Sequence, residues 1–168
     1  MFNTDILKNT IIKYILENNF NIYGRFVRDF IINYDSNLLK CNEIIVHIYG
    51  DIKYKNLIES FLDKYTKQNN ILFDNRESSK EPINKQYSIE YNNNNYCLDI
   101  LYLDIINKNN LAKYLKICID IDCICIDKNN IFILDIDKYC NPTLPLFEII
   151  KKINDKKFNI IVNYIYNK

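Results

Sequence analysis

Length, composition and charge limit what this chain can be. Its 168 residues suit one domain, 1–168, with a single core. Hydrophobic residues make up 48% of it, which excludes wholesale disorder, and a formal net charge of +1 gives no overall attraction to nucleic acid or membranes. No apolar run approaches the roughly 18 residues of a membrane span, and the first residues lack a signal-peptide layout. We therefore expect a cytoplasmic protein with no membrane partner.

The six cysteines are best interpreted as free thiols. Cys118, Cys123 and Cys125 lie in one apolar segment, and the chain contains no C-x-x-C pair. With no secretion signal either, intracellular thiols are favoured over disulfides or a zinc site.

Hydrophobic periodicity predicts alternating helices and strands in the first part of the chain. The predicted elements are a helix capped by Thr4 and running to about Asn18, a strand from Phe20 to Tyr23, a turn at Gly24, a short helix from Arg25 to about Asn33, a polar loop from Tyr34 to Asn42, a strand from Glu43 to Tyr49, an amphipathic helix from Ile52 to Lys67 and a strand from Ile71 to Phe73.

Strands dominate the later part of the prediction. The elements are a loop from Asp74 to Lys85, strands Gln86–Tyr91 and Tyr96–Leu103 around an Asn92–Asn95 turn, strands Ile117–Ile126 and Ile131–Leu134 around Asp127–Asn130, a helix from about Leu146 to Asn154, and a strand or short helix from Phe158 to Tyr166. This order predicts an α/β (α+β) domain, with a mixed sheet flanked by helices.

Rare residue types are concentrated in one segment. Both glycines, the only histidine and two of the three arginines lie between Gly24 and Gly50. A residue type that is used sparingly is more often needed where it does occur. We therefore look for a mechanism at Gly24, Arg25 and Arg28, and for its chemistry on the strand from Glu43 to Asp51.

The residues of this segment resemble a known family. Ile22-Tyr-Gly-Arg-Phe-Val-Arg-Asp-Phe-Ile31 is similar to the G-G-x-V-R-D motif of tRNA CCA-adding enzymes and bacterial poly(A) polymerases, which are polymerase-β-like nucleotidyltransferases. In that family a D-x-D strand follows, as Glu43-Ile-Ile45 does here, and a third carboxylate lies on a later strand, where Asp99 fits. Asp120–Asp127 resembles the family's D-F-T-x-N-A strand more loosely. The resemblance covers roughly residues 20 to 135, and it extends to small nucleotidyltransferase-like proteins of large DNA viruses, which suits a composition rich in Ile, Asn and Lys.

The resemblance implies a nucleotide site and a metal site. A glycine turn before a helix lets backbone N–H groups approach a triphosphate, so Gly24, Arg25 and Arg28 would bind nucleotide. Alternate residues of a strand share a face, so the D-x-D carboxylates and the third one would hold Mg²⁺ for in-line transfer. Glu43 and Asp99 are thus the candidate catalytic residues and metal ligands.

Departures from the family's pattern predict that catalysis has been lost. Arg25 replaces the second glycine, Glu43 replaces the first aspartate, and Ile45, which cannot bind a metal, replaces the second. The preferred hypothesis is a catalytically inactive nucleotidyltransferase-fold protein without a cofactor. It would serve as a binding or structural subunit with a protein partner, in a viral assembly or an RNA-processing complex, in the host cytoplasm or the virion.

Two other hypotheses stay open. In one, the chain is an active enzyme that uses Glu43, Asp99 and His47 with Mg²⁺ to transfer a nucleoside monophosphate from a nucleoside triphosphate to RNA or another acceptor. In the other, the motif is accidental and the chain is an unrelated α/β interaction protein. A sheet in which the Glu43 and Asp99 strands do not pair would favour the last.

Several residues keep a structural alternative. Arg28 and Asp29 could simply brace the helix against the sheet, and Arg25 could be a solvated arginine rather than a phosphate or RNA ligand. His47 could be a metal ligand with Glu43 or an ordinary strand histidine. Asp120 and Asp122 form a D-x-D on a predicted strand; they could make a displaced metal site with Asp99, or point outward from the core.

Overall fold

A mixed six-stranded sheet organises the protein, which we describe from a computed structural model. The described residues are 6–32, 43–66, 83–104, 114–115, 117, 120–134 and 145–160. The strands are β1 (Asn21–Tyr23), β2 (Ile44–Asp51), β3 (Ile83–Tyr91), β4 (Asn94–Leu103), β5 (Ile124–Ile126) and β6 (Ile131–Ile133). The helices are α1 (Thr10–Glu17), a π-helix (Val27–Ile31), α2 (Lys55–Leu62) and α3 (Leu146–Asn154), with 3₁₀ turns at Ile6–Lys8, Ile52–Tyr54 and Asp120–Asp122.

The strand order is β3-β4-β2-β1-β5-β6. Strand β2 pairs in parallel with β4 and antiparallel with β1, and all other pairs are antiparallel. A parallel pair needs a crossover connection, and α2 lies in the connection between β2 and β4. The predicted α+β class, with a mixed sheet and flanking helices, is confirmed.

Alternate residues of β2 place the core on one face of the sheet. Ile44, Val46 and Ile48 are buried, whereas Ile45 is 49% exposed. One side of α1, formed by Ile11, Ile12, Ile15 and Leu16, is buried as well, and the rings of Tyr14 and Phe61 stack between α1 and α2. In α2, Ile58 and Leu62 form the buried side, whereas Leu57 is 45% exposed.

Gly50 is required because β2 passes very close to Phe20, which lies between α1 and β1. A Cβ atom at position 50 would lie 2.2 Å from Cδ1 of Phe20. The Phe20 ring is fully buried and packs edge-on against Tyr102. Because neither ring has room to move away, only a glycine fits at this point of β2.

Several predicted boundaries differ from the structure. The first helix is divided, since Asn9 accepts hydrogen bonds from the N–H groups of Ile11 and Ile12 and so caps a separate α1. The second amphipathic helix ends at Leu62, and β3 begins at Ile83 rather than Gln86.

The turn between β3 and β4 contains two residues, not four. Asn92 and Asn93 have positive φ values of 49° and 62°, which asparagine tolerates and a twisted two-residue hairpin turn requires. The hairpin itself is confirmed, and so is the last helix, α3.

Other predictions fall outside the described residues. These are the Thr4 cap, the loop over 34–42, the strand over 71–73, most of the loop over 74–85, residues 118–119 of the next predicted strand, and 161–166 of the last element.

Candidate functional site

Strand pairing aligns a row of side chains across the face of the sheet opposite the β2 core residues. The row consists of Cys125, Tyr23, His47, Asp99 and Gln86, each directly opposite the next in register. Residues that lie opposite each other on neighbouring strands share a face, so these five side chains are neighbours. The row contains the only histidine and one of the carboxylates identified in the sequence.

His47 and Asp99 form the centre of this row. The Nδ1 atom of His47 lies 3.2 Å from Oδ2 of Asp99, and Asp99 is only 6% exposed. Nδ1 itself is buried, and its ring geometry does not complete a hydrogen bond. Tyr23 stacks on the imidazole with ring centroids 5.6 Å apart. Of the two carboxylates that the active-enzyme hypothesis groups with His47, Asp99 lies beside the imidazole and Glu43 does not.

A second polar group, the Arg28 cluster, consists of Arg25, Arg28, Asp29 and Asp122. Arg28 donates from Nε to Oδ1 of Asp29 and from Nη1 to Oδ1 of Asp122, each over 2.7 Å. Arg28 and Asp29 are buried, so these are charge-assisted bonds shielded from water. The bonds join the π-helix to the 3₁₀ turn at Asp120–Asp122, whereas the structural alternative for Arg28 and Asp29 was a brace between the helix and the sheet.

Arg25 occupies the edge of the same cluster. Its Nε atom lies 3.1 Å from Oδ2 of Asp29, and its side chain is 57% exposed. The guanidinium is therefore accessible, but an ion pair already engages it.

Gly24 is needed for its backbone conformation. Its φ is +79°, a value that side chains disfavour, and its N–H donates to the carbonyl oxygen of Ile124 over 3.0 Å. Its own carbonyl accepts the N–H of Arg28 over 3.2 Å. The backbone donor that a phosphate-binding turn would offer is thus already used to pair the turn with β5.

Asp122 is a site residue whose role the sequence did not predict. Burial raises the pKa of the Asp122 carboxyl to about 6, although the nearby Arg28 guanidinium acts in the opposite direction. The prediction placed it on a strand, either in a displaced metal site with Asp99 or pointing outward from the core, but it lies in a 3₁₀ turn with 17% of its side chain exposed. Its partner Arg28 is 94 residues away in the sequence, so no local pattern could have revealed the contact.

The charges around the site nearly cancel. Two carboxylates, those of Asp29 and Asp122, lie near the guanidinium groups of Arg25 and Arg28. His47 lies close enough to Asp122 to lower the pKa of the Asp122 carboxyl. The arrangement provides no surplus positive charge, which a triphosphate without a metal ion would need.

The structure does not bring Glu43 and Asp99 together. Glu43 precedes Ile44, which pairs with Tyr96, so it lies four residues along β2 from the level of His47 and Asp99, a distance of about 13 Å at the rise of a strand. Ile45 lies between them and pairs with Cys97. Within the described ranges, no group of three or more His, Cys, Asp or Glu side chains could hold a metal ion. The donor set therefore does not fit a two-magnesium cage.

Asp120 does not join Asp99 in a displaced metal site. One of its carboxylate oxygens accepts Lys152 of α3, and the other accepts the N–H of Asn159 over 2.8 Å. Both contacts connect the described segment 145–160 to the 3₁₀ turn. Among the described residues, Cys97, Cys123 and Cys125 are not joined in disulfides.

Comparison of the whole chain with models of known protein families and with curated proteins finds no match. Among the helices in the described ranges, none combines the length and apolar character needed to cross a membrane.

Proposed function

We propose that this protein is a divergent nucleotidyltransferase-fold domain that no longer transfers nucleotides and acts as a binding or structural subunit. The observation that carries the proposal is Ile45. It stands where the family's motif has its second metal-binding carboxylate, and it presents a half-exposed aliphatic side chain there.

The strand arrangement supports the family resemblance. Strand β2, which follows Glu43, pairs directly with β4, which carries Asp99. An accidental motif would give no reason for these two strands to be neighbours. A glycine turn leading into a helix with Arg28 and Asp29 also lies beside this pair, as the G-G-x-V-R-D motif implies.

The contacts of the motif residues support the loss of nucleotide binding. The N–H of Gly24 is bonded to Ile124, and Arg28 is bonded to two carboxylates. A triphosphate would have to displace these buried bonds, and breaking a buried ion pair typically costs about 3–5 kcal/mol. In this proposal the motif has been kept as a structural brace after its ligand was lost.

The proposed partner is another protein, in a viral assembly or an RNA-processing complex in the host cytoplasm or the virion. Exposed apolar side chains such as Ile45 are suited to contact with a protein surface, whereas the balanced charge of the site is not suited to RNA phosphates.

Thermal melting with each nucleoside triphosphate, with and without Mg²⁺ or Mn²⁺, tests the proposal. A ligand at about 100 times its dissociation constant adds about 2.7 kcal/mol of stability, which a melting curve easily resolves. We expect no metal-dependent shift with any nucleotide. A shift that requires both metal and nucleotide, and that is lost in Glu43→Gln, would overturn the proposal in favour of the active enzyme.

A further inference from the structure

Large apolar side chains are exposed to solvent in the segment 145–160. Phe147 is 69% exposed, Phe158 is 52% exposed and Ile160 is 74% exposed. They are three of the five large apolar side chains that are exposed in the described part of the chain. Exposed apolar side chains that are concentrated in one place mark a contact surface for another molecule.

The outer side of α3 combines an apolar side chain with a charged one. Phe147 and Lys151 lie four residues apart, so they are neighbours on the helix surface, and both are exposed. Ile149 and Ile153 are buried on the opposite side of the helix. The helix is therefore held to the protein by its inner side, and its outer side faces solvent.

The end of α3 keeps a lysine in a backbone conformation that lysine disfavours. Lys156 has a φ of +54°, and its N–H donates to the carbonyl oxygen of Ile153 over 3.1 Å. The N–H of Lys157 donates to the carbonyl oxygen of Lys152 over 2.9 Å. Helices that end in this pair of bonds usually have glycine, or sometimes asparagine, at the residue with positive φ. Because Lys156 and Lys157 are both exposed, packing does not explain why lysines occupy these positions.

The residues after α3 offer main-chain groups as well as side chains. The N–H of Asp120 donates to the carbonyl oxygen of Asn159 over 3.0 Å, and the N–H of Asn159 donates to Oδ1 of Asp120 over 2.8 Å. Both main-chain groups of Asn159 therefore face the 3₁₀ turn. In an extended chain the main-chain groups of successive residues face opposite ways, so those of Phe158 and Ile160 are directed away from the turn. This side of residues 158–160 is an edge to which another strand can be added.

Resting on the proposed function as a subunit with a protein partner, we propose that the segment 145–160 binds an acidic, extended segment of that partner. The partner segment adds as a strand beside residues 158–160, and main-chain hydrogen bonds hold it there. Its alternate apolar side chains contact Phe158 and Ile160, and its carboxylates pair with the exposed lysines.

Charge selects an acidic partner. Four lysines and two carboxylates give the segment 145–160 a surplus of positive charge. Lys152 is already paired with Asp120, whereas Lys151, Lys156 and Lys157 are exposed. A second copy of this chain would bring the same lysines to the edge and would be repelled. A lipid headgroup or a nucleic acid could pair with the lysines, but neither donates and accepts alternately along an extended main chain as a peptide strand does.

Fluorescence anisotropy with a labelled peptide of alternating Glu and Val tests the surface. We expect the peptide to bind the wild type, and to bind the triple variant Lys151→Gln, Lys156→Asn and Lys157→Gln about tenfold more weakly, because three exposed charge pairs are lost. Lys13→Gln removes an exposed lysine from α1 and should bind as the wild type does. Failure of the wild type to bind, or equal binding by the triple variant, would overturn the proposal.

Peptides that are N-methylated at alternate residues test strand addition. Methylation removes the N–H donors along one edge of the peptide and leaves its side chains and its charge unchanged. We expect one alternate set of methyl groups to weaken binding about tenfold, and the other set to have little effect. Equal binding by both methylated peptides and the unmodified one would overturn strand addition.

The single variant Lys156→Asn separates binding from stability. Asparagine accepts a positive φ more readily than lysine does, so Tm should stay the same or rise while peptide affinity falls. A lower Tm with unchanged affinity would show that Lys156 has a structural role and would overturn its place in the surface.

Other ligands and another surface give distinguishable results. Phosphatidylserine vesicles or oligouridylate that bind the wild type more tightly than the peptide does, and that lose binding in the triple variant, would overturn the proposal in favour of a lipid or a nucleic acid. Peptide binding that survives in the triple variant but is lost in Ile45→Ser would overturn this surface and leave the proposed function in place. A melting shift that requires nucleotide and metal would overturn the proposed function, whatever the peptide does.

Discussion

Arg28 and His47 are neighbours in the fold, but they differ in how their buried nitrogen atoms are bonded. Arg28 makes short bonds to Asp29 and Asp122, and the turn that precedes it is hydrogen-bonded to β5. His47 instead has a buried Nδ1 that lies close to Asp99 without completing a hydrogen bond.

This difference identifies the Arg28 cluster as the part of the site that holds the fold. A buried guanidinium with all its strong partners inside the protein is a structural brace, and binding a ligand would cost those bonds. The buried Nδ1 of His47 has no such bond. The segment that resembles the G-G-x-V-R-D motif therefore braces the fold.

Removing the brace should produce the largest effect on stability. Arg28→Ala removes the main partner of the buried Asp29 carboxylate and of the partly buried Asp122 carboxylate, which should lower the free energy of unfolding by about 3–5 kcal/mol. Urea unfolding measures this directly. A loss below about 1 kcal/mol would mean that the cluster is not a brace and would break the comparison.

The protonation of Asp122 should produce the second-largest effect on the free energy of unfolding. Its pKa is about 6 in the folded protein and 3.8 ordinarily, so the folded state favours the protonated carboxyl. The stability that this group contributes is present below about pH 4 and is lost as the pH rises through 6. The unfolding free energy of the wild type minus that of Asp122→Asn should therefore fall between about pH 4 and pH 6. At about 1.4 kcal/mol per pKa unit, the fall is about 2–3 kcal/mol. A difference that rises with pH would show that Arg28 dominates over burial.

The turn at Gly24, which precedes the Arg28 cluster, should tolerate a side chain poorly. The cause is its backbone dihedral angle φ, not steric contact with neighbouring atoms. In Gly24→Ala the added Cβ has room, with its nearest neighbour, the carbonyl oxygen of Asp122, at 3.9 Å. The positive φ alone should cost about 1–2 kcal/mol in thermal or urea unfolding. Gly24→Asn, which accepts this conformation more readily, should recover part of the loss. Equal losses in the two variants would point to a steric cause instead.

Arg25, at the exposed edge of the Arg28 cluster, should contribute least to the free energy of unfolding. Arg25 is 57% exposed, so Arg25→Ala should change the free energy of unfolding by less than about 1 kcal/mol. The change should shrink further in high salt, which screens exposed ion pairs. A loss comparable to that of Arg28→Ala would remove the distinction between the buried brace and its solvated edge.

The sequence predicts the secondary-structure elements better than it predicts the contacts between them. The hairpin of β3 and β4 and the helix α3 have local signals, namely alternation around asparagines and a helical stripe after Pro145. The 3₁₀ turn at Asp120–Asp122 was missed because the alternating Ile, Asp and Cys residues of this segment also match a strand. The pairing of His47 with Asp99 depends on the register of two parallel strands separated by a crossover, and no local pattern determines that register.

The placement of β1 has a consequence for how the chain folds. Ile22 lies between Ile48 on one side and Ile126 on the other, so this three-residue strand bridges the two halves of the sheet. Contacts between residues so far apart in sequence slow folding, because the intervening chain must first be ordered. Until β5 docks, one edge of β1 stays open for pairing with another chain. We therefore expect slow refolding, and a yield of monomer that decreases as protein concentration rises.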